Sequence, residues 1–393
     1  MKKICLLPIF GFMYLLAFSQ PQQEWVFKTN GRIYSSPALA SGLIMFGSND
    51  SCFYALDQIS GKLKWKYKTN GIINTDPATD NNLVYFASSG GNLYALNYKT
   101  GQLAWNINTG KEKALDIWDY YLSSPVLSNN VIYKGCSDGR IIAVNAADGS
   151  ILWQFQASDM IHATPVVNGD RLYAGDFSGY FYAIETSTGN LVWKMRTIGE
   201  TWFPKGEIQK AAAFSNGVLF FGSRDYNMYA IDAQTGRGKW NMKEQGSWII
   251  ATPLVHNGLI YAGTSDSHRF ICLSAADGSL KWEIKLPMRV YGSAIYYDGL
   301  VWFGCFDGIL RGVTPETGEV ITRFSTLASK LNYFSVFDDS GKFRKDFELY
   351  GKNYLESESA IHNLGSILTT PVAHGHHIYF GSSDGNLYSV KIR

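Results

Sequence analysis

The sequence predicts an all-β protein, an eight-bladed propeller of four-stranded antiparallel blades. Three observations lead there. A unit of about forty residues recurs along the chain, each copy carries the signals of four short strands, and each ends on an aromatic at one fixed place.

The clearest copy is Tyr54-Ala-Leu-Asp-Gln-Ile-Ser-Gly-Lys-Leu-Lys-Trp65, repeated as Tyr94-Ala-Leu-Asn-Tyr-Lys-Thr-Gly-Gln-Leu-Ala-Trp105. Further copies end at Trp153, Trp193, Trp240 and Trp282, and a degenerate one at Phe324. The Asp or Asn before Ser/Thr-Gly can accept turn N–H bonds, and Gly supplies the positive φ of the turn. Each Trp is suited to lie flat against the neighbouring unit, so Trp25, Trp65, Trp105, Trp153, Trp193, Trp240 and Trp282 are expected to dock blade on blade. Upstream of each motif lies a hairpin such as Thr164-Pro-Val-Val-Asn-Gly-Asp-Arg-Leu-Tyr-Ala-Gly175, with Asn-Gly between apolar runs. Its Pro lacks an N–H and suits the start of an inner, channel-facing strand.

Inner strands start at Pro37, Pro77, Pro125, Pro165, Ala212, Pro253, Ala294 and Pro371, which makes eight. The aromatic fourth strands also number eight, but their series begins earlier, at Trp25. The segment 24–29 is therefore expected to complete the last blade and close the ring, which removes an open edge.

Residues 1–19 read as an export signal: Lys2 and Lys3, an apolar run from Ile4 to Phe18 too short to span a bilayer, and a small-residue site at Ala17-Phe18-Ser19. The mature chain, 20–393, is then expected to be an exported, periplasmic or extracellular monomer without a transmembrane span. Removing Lys2 and Lys3 takes Lys plus Arg from 35 to 33, against 33 Asp plus Glu. A formally neutral chain has no overall basic excess, so nucleic acid is not an expected partner. Cys52, Cys136, Cys272 and Cys305 fall on separate repeat positions and are expected to be small unpaired thiols.

Departures from a repeat are where function is commonly carried. The inner-strand spacings run 40, 48, 40, 47, 41, 41 and 77. The three long connections, 109–122, 197–211 and 325–368, all join a fourth strand to the next inner strand and so emerge on one face. The three Trp outside the strands, Trp118, Trp202 and Trp248, lie in connections of this kind. The candidate face comprises these with Asp119, Tyr120, Tyr121, Lys205, Glu207, Lys210, Arg289, Tyr291 and His362. Charged groups interleaved with Trp and Tyr suit recognition of a partner. Equally, long loops packed over a channel mouth need aromatics to stay ordered. The insertion 325–368, polar but with Tyr333, Phe334, Phe337 and Phe347, is expected to form a lid or small hairpin rather than a second domain. His374-Gly-His376-His377 replaces an Asn-Gly turn on the opposite face, and turns, not calcium loops, explain the Ser-Asp-Gly segments. No metal site is expected.

The pattern Ala55-x-Asp57-x-x-Ser60-Gly61-x-x-x-Trp65 and its copies resemble the tryptophan-docking repeat of the quinoprotein family, over nearly all of chain 20–393. The resemblance implies a fold, and that family has two kinds of member. One kind, the quinone-dependent alcohol and sugar dehydrogenases, would imply pyrroloquinoline quinone with calcium. Its adjacent-cysteine pair and haem motif have no match here, and no catalytic residue carries over. The other kind resembles the BamB-type subunit, which is non-catalytic and binds partner proteins through its loops. The resemblance thus implies a protein or polymer partner in the cell envelope and no cofactor. The lipid-attachment cysteine of that kind has no counterpart here. A third alternative is carbohydrate binding or cleavage, with Trp118, Trp202 and Trp248 stacking on sugar rings and Asp119 and Glu207 as an acid pair.

Overall fold

The computed structural model describes residues 20–393; the predicted leader, 1–19, lies outside them. Eight four-stranded antiparallel sheets follow one another, and seven consist of four consecutive strands. The eighth joins Val372–His374, His377–Gly381 and Asn386–Lys391 to the N-terminal strand Gln22–Lys28. The ring closes as predicted, with Trp25 opposite Ser389.

Strand three to strand four explains the repeat motif. In each of the first five blades an Ala pairs directly with the docking Trp, as Ala55 with Trp65 and Ala143 with Trp153, and a bulge follows at once. In the sixth blade Cys272 takes the Ala place opposite Trp282. Burial pushes this thiol up to about 12, so it behaves as a small apolar group. Cys136, Cys272 and Cys305 are buried, Cys52 is half-buried, and all four are free.

The Trp rings cross to the next blade. The Trp153 ring covers Gly189, where an added Cβ would meet it at 2.7 Å with φ at +76°. Gly is the residue that tolerates both demands. The indole N–H of Trp153 donates to the Thr186 carbonyl at 2.8 Å, and that of Trp65 to Tyr98 at 2.9 Å. Trp105, Trp193, Trp240 and Trp282 make the same bond one blade on, whereas the Trp25 N–H has no partner. In the seventh blade the docking place, opposite Gly312, is held by Thr322 and not by the expected Phe324, which stands two residues on, opposite Leu310, and packs edge-on to Phe380 and Tyr388.

The long insertion departs from the expected hairpin. It holds two helices, α1 (Leu327–Val336) and α2 (Tyr354–His362), with one isolated bridge, Phe337 to Phe343, between them. Thr326 caps α1 by accepting the Ser329 N–H at 3.1 Å. Helix α2 buries Glu358, Ile361 and His362 against the propeller. The His374 turn forms as expected, with Gly375 at φ +59°. Its His374 Nδ1 lies 2.9 Å from Gln58 Nε2.

Candidate functional site

The connections from each fourth strand to the next inner strand share a local rule. A branched apolar residue packs onto the Gly that ends a second strand; a side chain on Gly135 would meet Ile161 at 2.3 Å. Ile33, Ile73, Ile208, Ile249, Val290 and Ile367 repeat the contact. The next residue in each is free to vary, and several are polar or aromatic: Tyr34, Asn74, His162, Gln209 and Tyr291. Sequence reasoning singled out only Tyr291 among these, although the fixed offset from the Gly-packed residue would have found the others.

At the inner edges a belt of side chain to backbone bonds joins neighbouring blades. The Ser36 N–H donates to Asp76, the Asp76 N–H to Ser124 Oγ at 2.8 Å, the Ser124 N–H to Thr164 Oγ1 and the Thr370 N–H to Ser36 Oγ. Burial raises the Asp76 carboxyl, opposed by Lys210, and burial lowers the Lys210 ammonium, which sits 3.7 Å from the Tyr121 ring centroid.

Over the channel mouth, α2 meets the loops. Glu358 pairs with Arg289 and accepts from Trp118 Nε1 at 3.0 Å and from the Tyr120 hydroxyl at 3.3 Å. His362 bridges two phenols, Tyr34 through Nδ1 and Tyr120 through Nε2, each at 3.3 Å. The Tyr121 hydroxyl donates to the Leu368 carbonyl. These residues join a buried cluster with Trp248, Tyr291, Phe306 and Ile361.

The structure therefore divides the predicted face. Trp202 and Lys205 are exposed, and Trp118, Asp119, Tyr120, Glu207 and Lys210 are half-buried. Tyr121, Trp248, Arg289, Tyr291 and His362 are buried and form the floor on which the lid rests. Lys205 holds Asp159 in a surface pair at 2.9 Å. The acid pair of the carbohydrate-cleaving alternative is not free, because the Asp119 side chain is fully buried against His162.

That contact belongs to a line of groups that sequence reasoning missed. His162 Nδ1 lies 3.1 Å from Asp119 Oδ1, and its Nε2 lies 2.8 Å from Ser137 Oγ. Serine, histidine and aspartate in this order have the geometry of nucleophilic catalysis. Here, however, the Ser137 hydroxyl donates to Glu112, whose other oxygen takes Lys134 Nζ at 2.6 Å. Burial acts to raise the Glu112 carboxyl, but Lys134 and Ser137 outweigh it and hold it below its ordinary range. Ser137 and His162 are buried, so the line is a clasp that ties the 109–122 insertion to the third blade and its outgoing loop. Among the described residues, no group of three or more His, Cys, Asp or Glu is placed to hold a metal.

Among the cavities of these elements, one of about 450 Å³ lies between α1, α2 and the Ser383 turn, and one of about 200 Å³ lies between α2 and the loops. Trp118, Phe203, Trp248, Tyr291 and Tyr350 wall the smaller one, with Arg289, Ser265 and Asp266. Trp202 is not part of it.

A closed ring of tryptophan-docked four-stranded blades, with one face built up by long loops, defines a quinoprotein-type propeller. The family described as outer membrane protein assembly factor BamB matches residues 14–208 and 182–331, and the chain belongs to that family. It is 27% identical over 123 residues to the outer membrane protein assembly factor BamB of Moranella endobia, covering 28% of this chain and 31% of that protein. It is also 25% identical over 208 residues to the dehydrogenase subunit of a quinone alcohol dehydrogenase of Gluconacetobacter polyoxogenes, covering 45% of this chain and 28% of that protein. The matches thus span under a third of either relative's length. The crystal structure of BamB from Moraxella catarrhalis superposes with a TM-score of 0.71 at 16% identity, over 94% of this chain and 99% of that one. It shows the shared fold.

Proposed function

We propose that this protein is an exported scaffold that holds a protein or polymer partner in the cell envelope through its long-loop face. The observation that carries the reading is a set of large apolar side chains left in water on that face. Leu331 and Phe334 project from α1, Leu355 and Tyr354 from α2, and Ile198 and Trp202 from the 197–211 loop. Leu331 is 84% and Trp202 79% exposed. All lie on two of the three insertions, outside the repeat that builds the ring. Exposed apolar groups gathered on one face mark interaction sites. No helix of the described residues is long and apolar enough to cross a membrane.

The quinone-dependent dehydrogenase is the second reading, favoured by the alcohol dehydrogenase relative. Its cofactor is a flat tricyclic acid. The aromatic-walled cavity beside Trp118 and Trp248, about 200 Å³, is below the roughly 300 Å³ at which pockets for such ligands begin. The ground around it is filled by Tyr120, Tyr291, Phe306 and His362. These residues leave no room for the quinone at that cavity.

The test is a combined Trp202→Ser, Leu331→Ser, Phe334→Ser and Leu355→Ser variant. Its melting temperature should stay close to the parent's, since exposed side chains contribute within about 0.5 kcal/mol. Its cross-linked capture of an envelope partner should be lost. Unchanged capture would place the binding surface elsewhere. Titration with the quinone and calcium should move neither absorbance nor melting temperature; a saturable shift in both would favour the dehydrogenase.

A further inference from the structure

The outer rim of the propeller, which the scaffold reading does not use, is not uniform. Each blade ends in a fourth strand with an open edge. Hydrogen bonding in an antiparallel ladder alternates, so one bond fixes which residues turn outward. In the second blade the Thr109 N–H donates to the Gly91 carbonyl at 2.7 Å, and Ile107 and Trp105 face the third strand in the same phase. Asn106 and Asn108 therefore turn their backbone N–H and carbonyl groups to the open edge, and both residues are exposed. The corresponding bonds, such as Thr69 to Ser51 in the first blade and Thr197 to Gly179 in the fourth, set the same two places in every blade.

Six blades put at least one charge at these places, among them Lys66 and Lys68 on the first and Lys194 and Arg196 on the fourth. Apart from Glu283 these charges are all basic. Lysine on an open edge keeps further strands from adding to it. The second and third blades carry amides instead, Asn106 with Asn108 and Gln154 with Gln156. The third is still guarded, because Arg140 donates to Gln154 Oε1 at 3.0 Å. At the second blade Asn108 bonds only to Asn92 and Gly110, and the Asn106 amide has no hydrogen bond among the described residues.

A row of N–H and carbonyl groups at strand pitch is complementary to another extended backbone. A second copy of this chain would bring its own basic rim against Lys66 and Lys68, whereas a single segment needs only the spacing of one strand, about 4.8 Å. We infer that the outer strand of the second blade, Leu103–Asn108, accepts an extended, uncharged segment of a partner polypeptide as a fifth strand. The inference goes beyond the loop-face reading, because it uses none of the exposed apolar residues of that face.

The probes are fluorescein-labelled peptides of about ten residues, alternating Thr-Val or Gln-Leu, read by anisotropy against the full chain. At least one should saturate, and amide hydrogen exchange at Asn106 and Asn108 should slow in the complex. The same peptide methylated at its backbone nitrogens should not bind. Asn106→Lys combined with Asn108→Lys gives the second blade the edge of the first; it should keep the melting temperature and weaken binding about tenfold or more. The combined Trp202→Ser, Leu331→Ser, Phe334→Ser and Leu355→Ser variant should bind the peptide as the parent does, which tells failure of the loop-face reading from failure of this one. Three results overturn the inference: no peptide that saturates below about 1 mM, binding that the double lysine variant retains in full, or a dimer of the parent chain in sedimentation that this variant dissolves, which would assign the edge to a second copy.

Discussion

Acid should loosen the lid through His362. This imidazole is held down to about 3 from its ordinary 6.5, first by burial and then by the Arg32 and Arg289 guanidiniums. Its ring nitrogens face the Tyr34 and Tyr120 hydroxyls, and the Glu358 carboxylate is already taken by Arg289, Trp118 and Tyr120. The folded state therefore rejects a proton that the unfolded chain accepts. The stabilising effect is complete above about pH 6.5, shrinks as the pH falls below it, and stops shrinking near pH 3. At pH 5 the unfolded state binds close to one more proton at this site, which amounts to about 2 kcal/mol of lost stability. His268, lowered to about 4 by burial and by Arg289, acts in the same direction. The assay is urea unfolding followed by tryptophan fluorescence at pH 7.5 and pH 5, for the parent and for His362→Gln. The variant costs stability at pH 7.5 because two hydroxyls lose their partner. Its deficit should narrow by about 2 kcal/mol at pH 5. A deficit that is the same at both pH values refutes the assignment of a neutral buried His362.

Three further outcomes follow from the same contacts. Glu358→Ala leaves the Arg289 charge buried and unmatched and should cost about 3 to 5 kcal/mol; pairing Glu358→Leu with Arg289→Met should recover most of the loss in a denaturation cycle. Gly189→Ala forces a side chain into a left-handed turn and into the Trp153 ring, so thermal unfolding should report a loss of at least about 2 kcal/mol. A fluorophosphonate probe should leave Ser137 unlabelled, as mass spectrometry of the treated protein would show, because its hydroxyl is buried and donates to Glu112; labelling would turn the clasp into a nucleophile.

The ring was legible in the sequence because its causes are local and repeated. A Gly with positive φ, an Asp accepting turn N–H groups and a Trp opposite an Ala recur within twelve residues of one another. The lid was not legible for two physical reasons. Helix α1 has no single apolar stripe: Leu331 and Phe334 face water while Ser329 and Val336 are buried, so the helical period is hidden. The contacts that seat α2 also join residues about 240 positions apart, as Trp118 with Glu358, and nothing in either neighbourhood announces the other. This explains why the predicted face holds two populations. Arg289, Tyr291, His362 and Tyr121 are buried beneath the insertion, where Arg289 pairs with Glu358 and Tyr121 donates to the Leu368 carbonyl. That anchorage fixes the helices whose outer sides carry Leu331, Phe334 and Leu355. An interaction surface of apolar side chains held rigidly in water loses little conformational entropy on binding. On the proposed reading, the buried residues of the face serve recognition by holding that surface still.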